Sequence, residues 1–452
     1  MTRPEREAAV AKQADVAGIR LVRFLWCGND GTVRAKASGR HGLEGRLTSG
    51  IGVTVAMQAM NGLDQLQPVD GMGPVGEVRL VPDVETFRIL PYAPRTAALL
   101  VDHVTLEGEP APQCPRSFLT RMEGRLAERD GARLEVAFEN EFALAVRNDG
   151  GYTPVDASLC FSTMGMTESQ GYIDALVDAL ERQGIDLEQY YAELGHGQQE
   201  ISTAHAPALR AADEQILVRE TIRGVAAQHG LVASLAPKPW PDGAGNGGHI
   251  HFSLWEEDRN RFHDDSSADL LSAEARAFLA GVLEHLPALC GLTAPSFNSY
   301  HRIVPHYWAG AFTCWGHDNR EAPIRVPSVF GGLEEASTNA ELKAADSSCN
   351  PYLALGGLIA AGLDGIDRGL ELPPPVEVDP ATIPEEERIR RGILRLPATQ
   401  EEALDALEED AVLTGALGPV LATSYLAVRR SEWTAYAAGD EAFEQQGHFS
   451  KY

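Results

Sequence analysis

The chain has 452 residues, 44% of them hydrophobic and 23% charged, enough to bury a large core and close to the usage of soluble globular proteins. Lys plus Arg number 38 against 65 Asp plus Glu, a formal charge of −27, which disfavours nucleic acid and anionic membrane surfaces as partners because both demand cations. There is no run of 18 apolar residues to span a bilayer and no apolar core in the opening MTRPEREAAVAKQADV, so a cytoplasmic location without a membrane partner is expected.

Residues 1–16 read as a polar helix. Val22, Phe24 and Trp26 alternate before Gly28-Asn29-Asp30-Gly31, and Val33 and Ala35 resume the alternation, which predicts a hairpin. Glu77–Leu80 and Leu99–Val101 are further strand-like runs. The turn-rich EGEPAPQCP at 107–115 marks a break, so a small β-rich domain is expected over 1–108 and a large one over 109–452. A helix opened by Ser117 should run to Arg129. A strand should follow over 133–146, with Leu134, Val136, Phe138, Phe142, Leu144 and Val146 on its buried face. Ile173, Leu176, Val177 and Leu180 keep helical spacing, as do Val218, Ile222, Val225 and Ala226. Pro373–Pro375 breaks the chain, an acidic helix begins near Thr399, and the last helix should hold Glu432 and Trp433. The six cysteines form no CxxC pair and read as buried small hydrophobes, with a catalytic thiol as the lesser reading.

Chemistry concentrates in a few stretches. On the 133–146 strand, Glu139 and Glu141 share the polar face about 7 Å apart, where like charges call for a cation. In GGHIHFSL, His249, His251 and Ser253 share one face behind a Gly-rich approach. Glu193 and Glu200 bracket a Gly-His-Gly turn, and alternation puts Glu341 and Lys343 together. Arg302, Arg320 and Arg325 add forks that match carboxylate and phosphate oxygens. Glutamates with a histidine suit a hard cation, Mg²⁺ or Mn²⁺, and arginines beside such cations suit phosphoryl transfer. The residues by themselves therefore point to a metal-dependent nucleotide enzyme.

Taken in order, NDGTVR, RLVPDVET, FENEF, GHGQQEI, GGHIHFSL, NSYHRIVP, DNREAPIRVP and ELKAADSSCNPYLALGG resemble the glutamine synthetase family over most of the chain. The resemblance implies an α+β fold, with a small N-terminal β-grasp domain and a large catalytic domain built on an antiparallel-strand barrel with helices. It implies homo-oligomeric rings, usually a dodecamer, with each active site at a subunit junction. It implies two to three Mg²⁺ or Mn²⁺ ions per site. Glu141, Glu193 and Glu200 would hold one, and Glu139, His249 and Glu341 another. His251 and Ser253 fall where the family contacts ATP, Arg320 and Arg325 where it grips phosphates, and Arg302 where it holds the carboxylate of glutamate. The implied chemistry is ATP-driven phosphorylation of the γ-carboxylate of glutamate, then displacement of phosphate by a nitrogen nucleophile.

The departures bear on that nucleophile. Counting from Arg302, the family's ammonium-binding glutamate is replaced by Trp308. The stretch at 50–57, which should carry an aspartate to the same pocket, has no acid, whereas the Gly150-Gly151-Tyr152 motif keeps Tyr152 available. An aromatic ring suits an alkyl or aryl group, or a cationic amine over its face. The resemblance therefore narrows to the γ-glutamyl-amine ligases, acting on glutamate and a primary amine: ethanolamine, an alkyl or aryl amine, or a polyamine. The alternatives are a divergent glutamine synthetase using ammonium and a non-catalytic structural or regulatory relative. Lys343 stands for an arginine, and the asparagine that binds glutamate's amino acid moiety is Ala244, beside Gly245, unless Asn246 takes over. The family's adenylylated tyrosine is Leu394, so no adenylylation is expected there.

Overall fold

The alternation at 21–27 builds a strand with two buried faces. In a computed structural model, which describes residues 1–129, 131–149 and 151–452, strand β1 (Leu21–Cys27) turns Val22, Phe24 and Trp26 toward the helix Arg3–Val16. Leu25 and Cys27 point the other way, into the core of the large domain. β1 pairs with β2 (Val33–Gly39) as the expected hairpin. Its turn requires Gly31, where φ is +77° and a Cβ would lie 2.1 Å from the Ser348 carbonyl oxygen. Strands β3 (Ile51–Thr54), β4 (Glu77–Pro82), β5 (Arg88–Ile89) and β6 (Thr96–Val104) complete this sheet. Its order is β2-β1-β6-β4-β3, with β5 beside β6 and the central β1 and β6 parallel, as in a β-grasp sheet.

The helix expected from Ser117 begins earlier, at Pro115, and ends at Ala127. Cys114 is its N-cap, with Sγ accepting from the Ser117 amide, and proline is at home in the first helical turn. Then comes the long strand β7 (Arg133–Asn148), the spine of a sheet with eleven strands among the described residues. The others are β8 (Gly151–Pro154), β9 (Leu187–Ala192), β10 (Gln198–Thr203), β11 (Ala206–Pro207), β12 (Val232–Ser234), β13 (Gly248–Glu256), β14 (Arg259–Asn260), β15 (Trp315–His317), β16 (Ile324–Val326) and β17 (Ala340–Leu342). The main path is β15-β16-β17-β13-β7-β10-β9.

On one face of this sheet Leu134, Phe138, Phe142, Ile250, Phe252 and Leu254 join the core under the helices Thr163–Glu181, Ala208–Gln228 and Pro351–Arg368. Val146, expected on that face, is 45% exposed, because β7 outruns the core there. Glu432 and Trp433 lie on the helix Pro419–Ala437, which is not the last: Glu441–Lys451 follows. Among the described residues, five cysteines are buried and Cys160 is exposed. No single helix among the described residues is long and apolar enough to cross a membrane.

Candidate active site

Strand register gathers the polar residues. Across the adjacent strands β16, β17, β13, β7 and β10, Arg325 pairs with Glu341, Glu341 with His251, His249 with Glu139, and Glu141 with Glu200. Neighbouring strands lie about 4.8 Å apart, so this register lays the donors side by side on the face opposite the core. Glu193 joins them from the turn between β9 and β10. That turn is tight at Gly197, where φ is +66° and a Cβ would sit 2.5 Å from the Leu144 carbonyl oxygen.

The side chains converge as the strands do. His249 Nδ1 lies 3.1 Å from Glu139 Oε2 and 3.3 Å from Glu341 Oε1, and its Nε2 is 3.9 Å from Glu141 Oε1. His251 Nε2 is 3.0 Å from Glu139 Oε1, and one donor atom each from Glu139, His251 and Glu341 falls within 4.8 Å of the others. His251, predicted at the nucleotide, thus also borders the donor set. Lys343 Nζ sits 3.2 Å from Glu341 Oε1, and Arg325 Nη1 pairs with its other oxygen.

The two halves of this cradle differ electrostatically. Burial would raise the Glu341 carboxyl, but Lys343, His249 and His251 hold it down at about 2. Glu139 is likewise held well below the usual range, its burial outweighed by hydrogen bonds to His249 and His251. In the other half burial, then Glu141 and Glu139, push Glu200 up to about 9, and burial with Glu141 raises Glu193. Glu141, Glu193 and Glu200 repel one another by more than Lys343 relieves at Glu193, which fits a hard divalent cation that would supply further positive charge. Glu141, Glu193 and Glu200 could hold one ion, and Glu139, His249 and Glu341 a second.

The predicted glutamate-binding residues also meet. Buried Arg302 donates from Nη2 to the carbonyls of Ala345 (2.7 Å) and Lys343 (3.3 Å). A Cβ at Gly245 would lie 2.6 Å from Arg302 Cγ, so only glycine leaves room for that side chain. Asn246 does not replace the asparagine missing at Ala244. It is buried, donates to the carbonyls of Ser234 and Ala236, and accepts from Gln198. Ser253 Oγ accepts from Trp255 Nε1. Arg320 is exposed, and among the described residues its side chain forms no hydrogen bond or ion pair.

Trp308 is 61% exposed on a loop with unusual backbone: His306 and Trp308 both have positive φ, costly for such side chains, and Gly310 does too. Its amide donates to Glu321 Oε1 at 3.1 Å. Tyr152 stands apart from the cradle. It pairs with Arg147, six residues beyond Glu141 on β7 and so about 20 Å along the strand. Its ring stacks on Phe449 at 3.9 Å and its hydroxyl accepts from Arg147. Gly150 of that motif lies outside the described residues. The acid-free segment 50–57 forms β3 and the short turn Val55–Ala59 of the N-terminal sheet.

Residues not picked out from the sequence hold the cradle in place. Tyr191 donates its hydroxyl to Glu200, its cross-strand partner. Gln198 Nε2 and the Gly247 amide donate to Glu141 Oε2 at 3.0 and 2.9 Å, and Asn339 Oδ1 is 2.9 Å from His251 Nδ1. Period two was the available signal for Gln198 and Tyr191, each two residues before a glutamate already singled out.

Two family descriptions match nearly the whole chain: glutamine synthetase N-terminal domain over residues 6–111 and glutamine synthetase, catalytic domain, over 112–447. A gamma-glutamylpolyamine synthetase, GlnA3, of Streptomyces coelicolor is 37% identical over 99% of this chain and 96% of its own length. A glutamine synthetase of Halobacterium salinarum is 33% identical over 99% and 97%. Among solved structures, a novel glutamine synthase homolog superposes with a TM-score of 0.86 at 33% identity, covering 96% of this chain and 99% of its own. A GmaS/ADP complex does so with 0.84 at 27%, covering 97% and 98%.

Proposed function

Because this chain belongs to the glutamine synthetase family of carbon–nitrogen ligases, we propose that it joins the γ-carboxyl of glutamate to a primary amine in an ATP-driven reaction. Glu141, Glu193 and Glu200, and Glu139, His249 and Glu341, would hold Mg²⁺ or Mn²⁺, and bound ions would supply positive charge against the phosphate oxygens during transfer. Arg320, Arg325, His251 and Ser253 orient ATP, while Arg302, Gly245 and Lys343 seat glutamate. A γ-carboxylate oxygen attacks the terminal phosphorus, the bond to ADP breaks, and an acyl phosphate forms. The amine nitrogen then attacks the acyl carbon, and phosphate leaves with the C–O bonding electrons, carrying off the proton shed by nitrogen as hydrogen phosphate. The working protein is a homo-oligomeric ring, a dodecamer, in the cytoplasm.

The observation that carries the choice of amine is Trp308, an exposed indole where a carboxylate would attract ammonium. The similarity to a protein named for polyamine glutamylation supports an amine acceptor. The test is phosphate release by the purified protein with ATP, Mg²⁺ and glutamate, across ammonium and a panel of amines. Release driven by an amine and not by ammonium is expected. Ammonium as the best acceptor would make the protein a divergent glutamine synthetase, and no release with any acceptor would favour a non-catalytic role.

A further inference from the structure

We propose that Phe161 and Leu194, together with Trp308, form an apolar wall beside Glu193 that selects amines with an alkyl or aryl substituent over diamines; this rests on the amine-ligase reading above. Leu194 directly follows Glu193, its amide donates to Glu193 Oε2 at 2.6 Å, and its side chain is 63% exposed. Phe161 is 62% exposed and is held there by its backbone, with φ at +56° and its amide bonded to the Ala192 carbonyl. Its ring meets Tyr191 edge-on at 5.2 Å, and Tyr191 in turn grips Glu200. Two large apolar side chains thus stand in solvent on the segments next to Glu193, Leu194 following it in the chain and Phe161 bonded to the carbonyl of the residue before it.

The Trp308 loop and the Leu194 turn share a support. Tyr307 lies under Lys238 Nζ at 5.1 Å, and Lys238 Nζ donates to the Gly243 carbonyl. On the other side, a Cβ at Gly195 would meet the Ala244 Cβ at 3.1 Å. Both segments therefore rest on the 238–244 loop. Exposed apolar side chains clustered around a polar centre mark a ligand or partner surface. The ligand that fits has an amine head toward the Glu193 turn and an apolar tail for the rings. A second ammonium at the end of that tail would instead lose its water against these apolar side chains, which is costly for an unpaired charge.

The test is steady-state kinetics of the full-length protein with methylamine, n-butylamine, benzylamine, putrescine and ammonium, in the wild type and in Phe161→Ala, Leu194→Ala and Leu194→Glu. In the wild type kcat/KM should rise from methylamine to butylamine by about 4-fold per methylene, with putrescine well below butylamine. Phe161→Ala and Leu194→Ala should cost about 10-fold or more on butylamine and benzylamine, and less as the amine shortens. Leu194→Glu should raise putrescine relative to butylamine. The wall is refuted if the wild type prefers putrescine, if the alanine variants weaken all amines alike, or if they dissociate the oligomer, which would make the patch an interface between copies. Those outcomes leave amine ligation standing, whereas phosphate release with ammonium alone overturns both.

Discussion

In the cation cradle nearly every donor rides a strand. Glu139 and Glu141 lie on β7, His249 and His251 on β13, Glu200 on β10 and Glu341 on β17, with ladder hydrogen bonds fixing their register. At the proposed acceptor rim, Phe161, Leu194 and Trp308 stand on loops, two of them at positive φ, with most of their surface in solvent. Strand register places charged donors in fixed positions, which a two-ion site needs. Loops can exchange one side chain for another without disturbing that register, so acceptor preference can change while the phosphoryl-transfer half stays constant.

The sharpest way to break the comparison is to damage the cradle. Glu141→Ala should lower turnover at least 100-fold while circular dichroism shows an intact fold, because the change relieves repulsion with Glu200 and Glu193. Near-normal turnover would refute the cation assignment. Next in size, Mg²⁺ or Mn²⁺ at 100 times its Kd should stabilise the folded protein by about 2.7 kcal/mol, read as a rise in Tm. Glu200→Gln should lose most of that rise. Tyr191→Phe removes the hydroxyl that holds Glu200 and should weaken metal affinity about 10-fold with little change in acceptor preference. A changed preference without a change in metal affinity would blur the line between the two regions.

The smallest effect lies outside both. His285 sits between Asp410 Oδ2 (2.6 Å) and Asp364 Oδ2 (3.0 Å), tying together three helical segments. Burial disfavours its charge, but the two aspartates outweigh burial and raise it above the ordinary imidazole range. A raised folded value means the stabilisation is fully present below about pH 6.5, the unfolded value, and is lost as pH climbs through the folded one. Thermal melts should show that loss in the wild type and a flatter profile in His285→Gln.

How much the sequence disclosed follows the same division. Period two in FENEF and HIHFSL identified both faces of β7 and β13, since a strand repeat is visible within a few residues. It did not reveal that Val146 lies beyond the core, because the edge of a sheet depends on what packs above it. Ser117 looked like a helix start, yet Cys114 caps the helix, a choice the short-range pattern leaves open. Nothing adjacent to Asn246 in the chain shows that its side chain is tied to Ser234, Ala236 and Gln198, which lie ten or more residues away. Phe161 and Leu194 gave no signal at all, because an apolar residue in a loop looks the same whether it packs inward or faces a ligand.

The most direct test of the central claim, that Trp308 marks a site rebuilt for amines, is the ratio of amine to ammonium turnover in the wild type and in Trp308→Glu, measured by phosphate release under saturating ATP, Mg²⁺ and glutamate. The wild type should favour the amine, and Trp308→Glu should shift the ratio toward ammonium by about 10-fold or more, the scale on which a site built to pair a charged group discriminates. An unchanged ratio would contradict the claim.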